Sequence, residues 1–300
     1  MNSSLALRHR IHYHYDRAIL LGPHLIRLCP TAHSRLPTRD YELTITPTPQ
    51  TIHWQEDSFG NSVARVVFSE KARDLTVVMK AVIDWVDINP LDFLLDRSVE
   101  HWPFSYDSHL LKSLTPYLEV SANGARFETF MSDLPCKSSP TVAFLAHLNH
   151  YIAHLITYTT RLETGIQTCD ATLAQRTGAC RDSAWLLIQV ARQLGLAARF
   201  VSGYLIERSQ SVDPTTTGIA PRSDSMALHA WVDIYLPGAG WIGLDPTSGL
   251  FAGPGYLPLV CVPDPIFATP IEGTCEPSSI EWDYTQTVER IPRHTPGNGC

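Results

Sequence analysis

Along residues 11–88 the apolar and polar positions change places every one or two residues. "IHYHYDRAILL" and "YELTITP" alternate, and "SVARVVF" and "LTVVMKAVIDWV" are rich in β-branched residues. A period of two predicts half-buried strands. "TPTPQ" and "DSFGN" supply turns between them. Short strands with frequent turns predict an antiparallel β-sandwich of about 80–90 residues. Prolines then scatter through "HWPF", "TPYL", "SDLP" and "SSPT", which predicts a connector holding one short helix. From residue 140 the period becomes helical. "PTVAFLAHLNHYIAHLITYTTRL" sets Leu145, Leu148, Ile152, Leu155 and Ile156 on one stripe. A second helix follows Cys180, where Ala184, Leu187, Ala191 and Leu194 share a face flanked by Ile188 and Val190; such a helix is largely buried. "AARFVSGYLIE", "LHAWVDIYLP" and "GWIGLDPT" read as strands. Helices first and a sheet afterwards predict an α+β core. The expected domains are a β-rich unit over 1–100, a connector over 101–138 and the core over 139–300. A last strand at about 278–291, in "SSIEWDYTQTVERI", is expected to return to the first sheet.

Composition narrows the classes. Of 300 residues, 44% are hydrophobic and 18% charged, as in ordinary globular chains. A net charge of −7 without any Lys/Arg block argues against nucleic acid as a partner. No apolar run reaches the roughly 18 residues of a membrane span, so no membrane partner is expected. "MNSSLALRHRIHYHYDRAILLG" lacks the continuous apolar core of a signal peptide. The seven cysteines are odd in number, widely spaced and free of C-x-x-C pairs. That pattern argues against a disulfide framework or a zinc ribbon, and suits a reducing, cytoplasmic setting. His147, His150 and His154 share a helix arc opposite the apolar stripe, and His12 and His14 share a strand face. The first group is expected to meet water, and neither a metal nor a cofactor is expected at either.

The candidate chemistry starts at "RTGACRDSAWLLIQVARQLG". Cys180 heads its helix, with Thr177 or Gly178 as the expected cap. There the positive end of the helix dipole favours thiolate over thiol. A buried structural cysteine is the competing reading. In "LHAWVDIYLP", His229, Trp231, Asp233 and Tyr235 share one strand face. The other face is purely apolar and is expected to be the core side, so His229 looks outward, toward the head of the cysteine helix. Asp245 follows the hairpin "LPGAGW". An odd connection sets it opposite Trp231 or Asp233, on the His229 face and within reach of the imidazole. The competing reading is an Asp-Pro turn.

"GACRDSAWLLIQVARQLGLAARFVSGYL", "LHAWVDIYLPGAGWIGLDPTSG" and "RLETGIQT" resemble the bacterial transglutaminase-like family, often regarded as cysteine proteases. "HYHYDRAILLGPHLIRLCP" with "DSFGN" resembles the β-rich region that precedes its core. The resemblance covers most of the chain and implies a papain-like or transglutaminase-like core, a cysteine helix packed on an antiparallel sheet. It implies Cys180 as nucleophile, His229 as base and Asp245 as the carboxylate orienting it. Arg181 and Asp182 belong to the same signature; Asp182 in a first helical turn also suits the dipole. The oxyanion donors are expected to include the Cys180 N–H, with Gln175 and Gln167 as side-chain candidates. Trp231 either walls the site or is a half-buried strand aromatic. The long polar stretch 207–228 reads as a cleft rim or lid, or as a solvent loop. The implied activity is acyl transfer through a thioester on a protein or peptide substrate, leaning toward amide hydrolysis. Transamidation and a non-catalytic interaction module are the alternatives. Further domains of a longer chain, or operon-type proteins, are possible partners. No calcium loop pattern is present.

Overall fold

The computed structural model describes residues 4–135, 137–161, 163–209 and 223–292. The first strand, β1 (Ser4–Ile26), runs for 23 residues. It is followed by β2 (Thr38–Thr46), β3 (Thr51–Glu56), β4 (Ser62–Val67) and β5 (Lys71–Asp84) in the order β2-β5-β1-β4-β3. The first half of β1 pairs with β5, from Ser4 opposite Asp84 to His14 opposite Asp74, and its end pairs with β4. One strand thus passes from one layer into the next, so the expected sandwich is a single curled antiparallel sheet. Leu5, Leu7, Ile11, Leu75, Val77 and Met79 fill its inner face. β3, "TIHWQE", is exposed along its whole length, and its short alternation, Ile52 and Trp54 alone, gives a weak strand signal in the sequence.

The connector holds more structure than the one short helix expected. It carries α1 (Ser108–Leu114), capped by Asp107, and α2 (Ala125–Asp133), besides a short bridge between β6 (His101–Trp102) and β7 (Ser139–Pro140). α3 (Thr141–Leu155) stops before the β-branched "TYTT" run, seven residues short of the expected 162. There β8 (Thr157–Tyr158) pairs in parallel with β9 (Thr177–Gly178), and between them lies α4 (Cys169–Gln175). α4 was not foreseen: it is one short helix, capped by Thr168 and ended by Arg176 at φ 53°.

The central helix α5 (Cys180–Gln193) is buried almost all round, with Leu186, Leu187, Ile188 and Val190 fully inaccessible. Truncating any one of them to alanine costs about 2–5 kcal/mol. α5 packs on β10 (Ala198–Glu207) and β11 (Ser225–Leu236), which belong to a five-stranded antiparallel sheet. β12 (Gly240–Asp245), β13 (Leu250–Phe251) and β14 (Tyr256–Val262) complete it in the order β13-β12-β11-β10-β14. β14 was also missed, because Pro258 interrupts its pattern; as an edge strand it tolerates the missing donor. The chain then returns: β15 (Ile271–Cys275) pairs with the end of β1, and β16 (Ile280–Ile291) with its beginning. Among the described residues no helix is long and apolar enough to cross a membrane.

Candidate active site

α5 begins at Cys180, and its N-cap is Ala179 rather than Thr177 or Gly178. Alanine cannot cap with its side chain, so Asp182 reaches back instead, its Oδ2 accepting from the Ala179 N–H at 2.8 Å. The same buried carboxylate accepts from the Gln167 N–H at 2.8 Å and from Arg161 Nη1 at 2.8 Å on each oxygen. A buried charge is tolerated when it is paired in this way. Its neighbour Arg181 donates to the carbonyls of Gly165 (2.8 Å), Glu163 (2.7 Å) and Arg161 (3.3 Å). The Arg181–Asp182 pair therefore clamps the 161–167 segment over the helix head. The expected dipole role of Asp182 is the smaller part of its work.

On the sheet, Pro237 and Gly238 (φ 88°) turn the β11–β12 hairpin, and Ala239 N donates to Leu236 O at 3.0 Å. The register is odd: Leu236 pairs with Gly240 and Val232 with Leu244. Asp245, one residue on, emerges diagonal to His229. Its Oδ2 lies 3.0 Å from His229 Nε2. The same oxygen accepts from Tyr256 Oη at 2.8 Å and Ser248 Oγ at 3.1 Å, while Oδ1 accepts from the Thr247 N–H at 2.8 Å. Cys180 lies close enough to the imidazole to help raise its pKa, and the two side chains line one cleft. With Nε2 held by the carboxylate, Nδ1 is the nitrogen left for sulfur. Asp245 thus serves the imidazole and a turn at once.

Burial sets the electrostatics. Only 10% of the His229 side chain and 1% of Asp245 is exposed. Burial alone would drive the His229 pKa down, but the Asp245 carboxylate and Cys180 outweigh it and raise the pKa to about 10. Burial would likewise raise Asp245, yet the hydrogen bonds from His229, Tyr256 and Thr247 hold it below the ordinary carboxylate range. Burial beside Asp245 pushes the Tyr256 phenol up, so it stays a donor. Tyr256 had no signal in the sequence: it comes from the missed edge strand and meets Asp245 only in the folded sheet.

Cys180 and His229 open together onto a cleft of about 470 Å³ lined also by Thr164, Ile166, Phe200 and Trp282. The structure does not bring the two glutamines into it. Gln167 Nε2 donates to Gln175 Oε1 at 3.3 Å, and its Oε1 accepts from Thr172 Oγ1 at 3.1 Å, so the Gln167 amide is engaged at both ends. Trp231 is buried rather than half-buried, its ring centroid 6.4 Å from that of His229. It backs the imidazole and lines a neighbouring cavity of about 360 Å³, not the cleft. That corrects the expected outward face of β11: Trp231 and Asp233 are buried, because residues of the first sheet's connections pack there. Asn61 bonds both the N–H and the carbonyl of Cys261 on β14, and Arg199 pairs with Asp233 at 2.9 Å beside His33.

His147, His150 and His154 are exposed, and His154 Nδ1 is spent on the His150 carbonyl at 3.0 Å. His12 and His14 instead share Asp74, at 3.1 and 2.7 Å. The central part of the 207–228 stretch lies outside the described residues. Its base is tied by Ser209 N to Asp224 Oδ1 at 2.9 Å, and by Arg290 of β16 to Asp224 Oδ2 at 2.6 Å.

Two family models match the chain. Residues 5–84 match the bacterial transglutaminase-like N-terminal region and residues 134–246 the transglutaminase-like superfamily core, which spans Cys180, His229 and Asp245. An uncharacterised protein of Mycobacterium tuberculosis is 27% identical over 83% of this chain and 80% of its own length. A shorter match to an uncharacterised Mycobacterium leprae protein is 32% identical over 34% of this chain and 33% of that one. A crystal structure from Cytophaga hutchinsonii, of a protein provisionally described as a cysteine protease, superposes with a TM-score of 0.66 at 16% identity. The match covers 98% of this chain and 93% of that one, so the two share a fold. The chain belongs to the transglutaminase-like superfamily, with the bacterial transglutaminase-like N-terminal region in front of its core.

Proposed function

We propose that this protein is a cysteine-dependent acyl-transfer enzyme that hydrolyses peptide or carboxamide bonds of a protein or peptide substrate. The observation that carries the reading is one buried imidazole, bonded to the Asp245 carboxylate, that shares a cleft with Cys180. In the reaction, Cys180 sulfur attacks the carbonyl carbon and the C=O electrons move onto oxygen. The Cys180 amide belongs to a first helical turn, whose N–H groups have no acceptor within the helix, and suits that oxyanion. As the carbonyl re-forms, the C–N bond breaks and His229 gives its proton to the departing amine, leaving a thioester. Water then attacks, His229 takes one of its protons, and sulfur leaves with the C–S electron pair. Asp245 keeps the ring oriented through both halves.

The test is alkylation of Cys180 by iodoacetamide as a function of pH, mapped to the site, in the wild type and His229→Ala. A thiolate-like rate persisting below pH 7 and lost in the variant is expected. Acid-quenched mass spectrometry with amide substrates should then find an acyl adduct on Cys180. A rate that rises only near pH 8.5 and ignores His229 would instead support a non-catalytic module. Carrying the acyl group onto an added primary amine would change the acceptor from water to amine.

A further inference from the structure

The inner face of the first sheet extends beyond the core that covers it. On β1, Leu7, Ile11 and Tyr15 are buried, and opposite them on β16 stand Val288, Tyr284 and Ile280. Alternate residues of a strand share a face, so Ile280, Trp282 and Tyr284 carry this apolar surface onto the edge strand. There they are 47%, 53% and 54% exposed. The Trp282 and Tyr284 rings stack, with centroids 5.9 Å apart and planes at 19°. Contiguous large apolar side chains left in water mark a binding surface. This one runs into the cleft, because Trp282 lines the same cavity as Cys180 and His229. Phe200, Leu228, Ala230 and Pro270 continue the apolar lining.

We propose that Trp282, with Tyr284 stacked beside it, determines the acyl-donor specificity of the cleft. It receives a bulky apolar or aromatic side chain next to the carbonyl that Cys180 attacks. This rests on the Cys–His reading above and adds the substrate class to it. Glutamine or aspartate in that place gives up its water to a wall of ring faces, and polar groups pay for such a transfer.

The experiment uses peptidyl chloromethyl ketones that differ only in the side chain beside the ketone: phenylalanine, leucine, glutamine or aspartate. The Cys180 thiolate displaces chloride and forms a thioether, and the second-order rate is followed by mass spectrometry at that site. The phenylalanine and leucine probes should react about tenfold or more faster than the glutamine probe. Trp282→Ala should bring that ratio near unity, and Trp282→Phe should keep most of it. Iodoacetamide, which carries no side chain, reads the Cys–His pair in the wild type independently. Fast iodoacetamide labelling below pH 7 with equal rates for all four probes, or a ratio unmoved in Trp282→Ala, overturns the subsite and leaves the pair standing. Slow labelling typical of a free thiol overturns the pair, and the subsite with it.

Discussion

Replacing Asp182 should unsettle both the fold and the nucleophile, although its carboxylate never reaches the cleft. Asp182 is 1% exposed and takes the Arg161 guanidinium on both oxygens at 2.8 Å, together with the N–H groups of Gln167 and Ala179. Asp182→Ala leaves Arg161, itself only 15% exposed along its side chain, with the exposed Glu163 carboxylate, 3.6 Å from its Nε, in place of a buried counter-charge. Breaking a buried pair by removing one partner costs about 3–5 kcal/mol. The lost cap at Ala179 adds about 1 kcal/mol. The sum, roughly 4–6 kcal/mol, is large beside the ~5–15 kcal/mol stability of a typical domain. Asp182→Asn keeps the shape but not the charge and should fall between. Urea unfolding followed by fluorescence reads the stability, and an Arg161→Met, Asp182→Leu cycle isolates the pair, with a coupling energy above about 2 kcal/mol expected. Cys180 alkylation should also slow, since the loop over the helix head is released. If both single variants cost under about 1 kcal/mol and add independently, the clamp is not what holds this end of the helix.

Three further outcomes follow from the site. Tyr256→Phe removes a 2.8 Å donor from Asp245 of about 1.5–3 kcal/mol; turnover should fall by about tenfold or more, and an unmoved rate would make Tyr256 a packing residue only. The His229 pKa is raised to about 10 in the folded chain, above the unfolded value of about 6.5. Its stabilisation is therefore fully present below about pH 6.5 and is lost as pH rises through about 10. The melting-temperature gap between wild type and His229→Gln should shrink across that window, and a constant gap would contradict the assignment. Gly203→Ala places a Cβ 2.3 Å from the Leu257 carbonyl and 2.7 Å from the Trp231 ring, so it should cost about 1–3 kcal/mol and disturb the ring behind His229. Differential scanning fluorimetry at unchanged melting temperature would refute that.

What could be read along the chain was local. The stripe after Cys180 fixes α5 and the alternation through His229 fixes β11, whereas the spacing to Asp245 admits an even or an odd register and the structure takes the odd one. Residue type alone does not orient an amide: Gln167 and Gln175 lie near Cys180 in sequence, but in the structure they bond each other and do not line the cleft. Tyr256 and Trp282 reach the site from strands whose positions depend on pairings made across the whole chain. For Trp282 a signal did exist, since Ile280, Trp282 and Tyr284 occupy alternate positions of the expected last strand.

Ser4 stands opposite Ile291, and twelve residues of β1 pair with β16. The order of synthesis then matters. A nascent chain that has emerged as far as Asp245 already holds Cys180, His229 and Asp245, but not the strand bearing Trp282. Until residues 280–291 arrive, that border of β1 offers unpaired N–H and C=O groups to any neighbouring chain. The last strand both seals a sticky border and supplies a cleft wall, so translation completes the cleft only after Cys180, His229 and Asp245 have been delivered.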